Sequence, residues 1–220
     1  MSEPGIHLFR ELTLTSPAGV GALKEALVAS AERPWKHAIK DEDQLYRAYP
    51  RDITVALFTR EESEGVEPCM LTLLQDLDSL KLTNILPRKI PELGPARYNR
   101  LIDDFVVKVV IPAREKFSIQ VKLGDEFLSL ETLLGEGPAS ALRAFSSGAN
   151  KSTGSTHPLD RKRWFDFLLA VHRSPTTPDL EQLLRWLVES EGWPDETAVE
   201  LIRECQFGLD LLKHRTKRIS

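Results

Sequence analysis

A chain of 220 residues, 41% apolar and 28% charged, has the composition of a folded globular protein and is long enough for one large domain or two small ones. Its formal charge of −4 argues against a protein that coats nucleic acid and leaves nucleic acid a disfavoured partner. Cys69 and Cys205 lie far apart inside apolar patterns, which suits buried free thiols rather than a disulfide framework or zinc site. The first residues, Met-Ser-Glu-Pro-Gly, lack a basic stretch followed by an apolar run, and no segment approaches the roughly 18 apolar residues of a membrane span. The expectation is a cytoplasmic protein without membrane contact.

His7 to Thr15 carries Phe9, Leu12 and Leu14 among polar residues and reads as a first strand. Ser16-Pro17 then opens a helix to about Arg33, with Val20, Leu23, Leu27 and Val28 on one face. Lys36 to Pro50 reads as a loop or short helix. Ile53 to Thr59, bounded by Asp52 and the acidic turn 61–65, predicts a strand, and Cys69–Gln75 with Leu80–Leu86 predicts a hairpin about Asp76-Leu-Asp-Ser79. Tyr98, Leu101, Ile102, Phe105 and Val109 repeat at helical spacing until Pro112, and Phe117 to Leu123 alternates as a strand. From Phe127 onward the patterns are helical: 128–134, 139–146, a helix from Pro158 to about Arg173, one beginning at Asp179, and a last one that turns basic at 213–218.

This order places the chain in the α+β class. Residues 1–124 form a sheet domain close to the ferredoxin-like β-α-β-β-α-β arrangement, antiparallel or mixed, with two helices and one insertion. Residues 125–220 form a helical domain with a polar loop at 146–157. A shared fold carries no function by itself.

The polar loop and the helix start behind it concentrate hydrogen-bonding and basic side chains. Asn150, Lys151, Ser152, Thr153, His157, Arg161 and Arg163 are the candidate ligand-binding residues, because glycine-flanked N–H groups, a helix N-terminus and cations together suit a phosphate. A P-loop would need glycine where Asn150 stands and a buried strand before it. A helix C-cap at Gly148 or Asn150 and a solvated helix face account for most of the same residues. A histidine, His157 or His172, oriented by Asp166 would supply the general base for a serine nucleophile, but no Gly-x-Ser-x-Gly motif is present, and the five histidines lack metal-ligand spacing. Neither a metal nor a cofactor is predicted. Tyr98, Asn99 and Asp103 form a secondary patch; Asp103 and Asp104 diverge by about 100° around a helix and make no ready chelate.

With every catalytic signature failing on spacing, the expected function is that of a regulatory or immunity-type protein acting through protein–protein binding. The alternative is an enzyme or sensor for a phosphorylated small molecule or nucleotide held at 146–164. The first reading requires an exposed apolar patch near Trp35, Trp193 or the final helix; the second requires Lys151, His157 and Arg161 to converge on a pocket.

Overall fold

The computed structural model describes residues 5–46 and 53–219, with side chains through residue 215; Pro50 and Asp52, at the ends of two expected elements, lie outside them. The chain divides into two compact units, residues 7–126 and residues 5–6 with 127–219. The architecture is α+β, an antiparallel sheet with helices followed by a helical region.

The expected first strand is two strands. β1 (Gly5–His7) is separated from β2 (Leu12–Thr15), and the Leu8–Arg10 segment between them is tied to the Asn99 amide rather than to a neighbouring strand. The sheet unit continues through α1 (Val20–Ser30), β3 (Trp35–His37), α2 (Ile39–Leu45), β4 (Val55–Arg60), β5 (Cys69–Asp76) and β6 (Ser79–Pro87). α3 (Pro95–Phe105), α4 (Ile111–Lys116) and β7 (Gln120–Leu123) complete it. The strand order is β3-β4-β5-β6-β2-β7, antiparallel at each junction. β6 lies between β2 and β5, which are connected through α1, β3, α2 and β4, and β2 lies between β6 and β7, which α3 and α4 connect. That interleaving of two split β-α-β units is the ferredoxin-like arrangement, with β3, α2 and β4 as the insertion that widens the sheet beyond β5.

Leu71 and Leu73 of β5, Leu12 and Leu14 of β2, Leu23 and Leu27 of α1 and Phe105 of α3 are buried together in the core. α2 covers part of the other face. Its buried Glu42 accepts from the Leu57 N–H of β4 at 3.1 Å and from His37 Nε2 at 2.7 Å, and pairs with Lys24, so the carboxylate is satisfied where an isolated one would be costly. The helix beginning at Pro95 does not stop at Pro112. Between α3 and α4, Val106–Val110 makes a π turn in which the Ile111 N–H bonds to Val106 O, five residues back. Widening the helix there accommodates a proline that lacks a donor and crowds the preceding turn.

In the helical unit, β8 (Phe127–Ser129) pairs with β1 in a two-stranded sheet, a strand where only helix was expected. Three residues are too few to show alternation. α5 (Leu130–Leu134), α6 (Glu136–Gly148), α7 (Pro158–Arg173), α8 (Leu180–Arg185) and α9 (Asp195–Ile219) follow. Asp179 caps α8 through Oδ1, which accepts from the Glu181 and Gln182 N–H groups. The centre is aromatic: Phe145 stacks on Trp193 with 5.4 Å between centroids and lies 4.9 Å from Trp164, which in turn lies 5.0 Å from Phe167. All four tryptophans of the chain are buried.

A candidate docking groove on the helical unit

α6 runs through Ser146 and Ser147 to Gly148, so the polar loop begins later than its composition suggests. Ala149, in extended conformation, ends the helix, and the left-handed residue is Gly154 (φ 59°) rather than Gly148 or Asn150. The loop satisfies itself. Asn150 Oδ1 accepts from the Ser152 N–H at 3.0 Å and hydroxyl at 2.7 Å, and Asn150 O accepts from the Thr153 and Gly154 N–H groups. The Thr153 side chain is exposed, and its hydroxyl donates back to Asn150 O at 3.5 Å. Lys151 reaches the Glu191 carbonyl and lies over the Trp193 ring, 6.0 Å from its centroid.

The remaining residues of that set go elsewhere. His157 is the N-cap of α7, its Nδ1 accepting from the Leu159 N–H at 3.3 Å. Arg163 pairs with Asp160 at 2.8 Å and lies against Gly148, where a Cβ would come within 2.9 Å of its guanidinium. Arg161 is exposed on α7 and makes no ion pair among the described residues. Asn150, Ser152 and Thr153 therefore share a turn, Lys151 closes it onto the α8–α9 connection, and Arg161 lines a cavity beside α7 and α9 to which neither Lys151 nor His157 contributes.

The secondary patch also anchors the backbone. Asn99, buried, accepts from the Arg10 N–H at 2.9 Å and donates to Leu8 O at 2.8 Å. Asp103 pairs with Arg10 at 2.7 Å, and Tyr98 meets Phe9 edge to face at 5.1 Å. Burial raises the Tyr98 phenol above its ordinary range. Asp104, on the adjacent face, accepts from Arg60 Nε and Trp35 Nε1, each at 2.8 Å. Burial pushes both thiols, Cys69 and Cys205, to about 12, far from a nucleophilic thiolate.

The feature that sequence reasoning missed lies between α7 and α9. These helices run side by side in the same direction, with Ser155 bonded to Glu204 at one level and Leu168 against Gly208 further along. A Cβ at Gly208 would stand 2.8 Å from Leu168 Cδ1, so this glycine permits the close approach. Beside that seam Phe165 is 53% exposed, Phe207 71% and Leu211 59%, with Leu169 also open to solvent. Two adjoining cavities of about 260 and 360 Å³ share Phe165, Leu168, Gly208 and Leu211. The first is lined entirely by apolar residues and glycine, while the second ends at Ser155, Arg161 and Glu204. The result is a long apolar groove, polar at the end where α7 begins. The signal was present in the sequence: Phe165 and Leu169 fall outside the buried stripe of α7, and Phe207 and Leu211 outside that of α9.

In the sheet unit, a cavity of about 350 Å³ lies between α2 and the outer faces of β5 and β6, and Asp41 is the one ionisable residue lining it, so it holds no acid–base pair. Among the described residues no group of three or more His, Cys, Asp or Glu side chains is placed to hold a metal, and no helix is long and apolar enough to cross a membrane. Comparison with protein-family models, curated proteins and solved structures finds no match.

Proposed function

We propose that this chain acts by binding another protein, and that the groove between α7 and α9 is the binding face. The observation that carries this reading is the clustering of Phe165, Leu169, Phe207 and Leu211 on one solvent-facing surface. Large apolar side chains left open together lose hydration-unfavourable area when a partner covers them, at about 25 cal/mol per Å² before the costs of association. Aromatic residues in such a patch are the usual anchors of an interface. No comparable observation supports the phosphate-ligand reading, whose residues other than Arg161 are engaged in the turn, the α7 cap and local contacts.

The test uses the full chain with a photo-crosslinking residue introduced at Leu211, compared with the same protein carrying Phe207→Glu. A defined protein product, the chain itself included, should form with the first and be lost with the second. Phe117→Glu, exposed in the other unit, serves as the control and should leave the product unchanged. Products that persist equally in Phe207→Glu would overturn the reading, as would the absence of any product.

A further inference from the structure

We infer that the occupant of this groove is a second copy of the chain, an inference that rests on the docking reading above and names its partner. The argument begins with the placement of charge. Arg161 and Glu204 stand at the same end of the groove but on opposite helices, and they are the two charged residues lining the second cavity. Glu204 accepts a hydrogen bond from Ser155 at 2.7 Å, and no ion pair joins it to Arg161. A cation and an anion on one face, level with each other yet unpaired, form a self-complementary set.

A two-fold axis running along the groove lays α7 of each copy over α9 of the other. Such an interface is isologous, so a contact from one residue to another is made twice. Arg161 then meets the second copy's Glu204, and Glu204 meets the second copy's Arg161. The apolar residues follow in step. From the charged end, Phe165 and Leu169 come at successive turns of α7, and Phe207 and Leu211 at successive turns of α9, so each apolar side chain faces apolar surface. A partner with a purely acidic helix would pair with Arg161 and bury Glu204 unpaired, and a purely apolar one would bury both unpaired, at a cost a second copy avoids.

The experiment is mass determination by light scattering and sedimentation over a wide range of protein concentration. The wild-type chain should reach twice its 24.8 kDa mass. Phe207→Glu should remain monomeric, and its exposed position keeps the fold intact, which a thermal melt verifies. Arg161→Glu and Glu204→Arg should each weaken self-association about tenfold or more, and the double variant should recover most of the loss. A monomeric wild-type chain overturns the inference, and so does a dimer indifferent to Phe207→Glu and Arg161→Glu. Failure of the docking reading itself is distinguishable: a wild-type monomer that still gives a Phe207-dependent crosslink to a different protein sinks the second copy but keeps the groove as a docking face, whereas loss of both sinks the two together.

Discussion

Arg60 shows how a charge can be kept in a protein core. It is 1% exposed, yet four of its five guanidinium N–H groups are engaged: Nε donates to Asp104 at 2.8 Å, and the terminal nitrogens donate to the carbonyls of Glu61, Ser63 and Val66. It thereby holds the acidic turn after β4 by its backbone, while Lys108 bridges Glu64 and Asp104 from outside. Burial alone would raise the Asp104 carboxyl, but the hydrogen bonds from Arg60, Trp35 and Lys108 prevail and it ionises below the ordinary carboxylate range. A carboxyl depressed in the folded state stabilises fully above its unfolded value, near 4, and that contribution fades as pH falls through the folded value. Asp104→Asn should therefore cost about 3 kcal/mol at neutral pH, because it strands a buried guanidinium, and should flatten the acid limb of a stability-versus-pH series measured by urea unfolding. An unchanged acid limb would show that another carboxylate governs it. A second residue carries strain instead. Leu77, first of the two turn residues between β5 and β6, has φ 55° and is 87% exposed. Glycine adopts that conformation freely, so Leu77→Gly should raise stability by about 0.5 kcal/mol after the added freedom of the unfolded chain is deducted. A fall in melting temperature would refute the strain.

Between elements, the polar loop acts as a clamp. Ser146 of α6 accepts from Trp193 Nε1 at 2.8 Å and donates to Glu191 at 2.6 Å, while Lys151 reaches the same connection and Ser155 reaches α9. One buried hydroxyl thus joins α6 to the segment between α8 and α9. Ser146→Ala should cost about 2 kcal/mol, since it leaves a buried indole N–H without an acceptor, and Trp193 emission should report the change during denaturant unfolding. A variant as stable as wild type would mean the indole finds another partner. This pairing shows a structural use for the loop's composition. Serine, threonine, asparagine and lysine are equally suited to binding a ligand and to closing a turn on its neighbours, and sequence spacing does not say which acceptors lie opposite. The buried stripes of α7 and α9 were legible from their periodicity, whereas the groove required knowing that two unpaired apolar stripes lie on the same side of two adjacent helices.

Across the whole chain, the strongest periodic signals gave the architecture. The hairpin about Leu77 and the helices from Pro158 and Asp179 stand where alternation and capping place them, whereas the strand expected over Phe117–Leu123 is confined to Gln120–Leu123 because Phe117 caps α4. What pattern alone did not reveal was the short pairing of β1 with β8, because it joins three residues to three others more than a hundred positions away. Its consequence is an unusual path: Gly5 and Ile6 group with the helical unit, the chain then builds the sheet unit, and it returns at Phe127. Ile6 is 1% exposed and is absent from the sheet unit's core cluster. Gly5 is equally constrained, for a Cβ there would stand 3.0 Å from Leu128 O, a backbone atom that cannot swing aside. Ile6→Ala should therefore remove about 3 kcal/mol from the helical unit, the usual cost of emptying a buried aliphatic site, although the substitution lies at the far end of the sequence. Native-state hydrogen exchange separates the units directly. Protection should fall in α5, α6 and α7 while β4, β5 and β6 keep theirs; equal loss in both would mean that the two units unfold as one cooperative body.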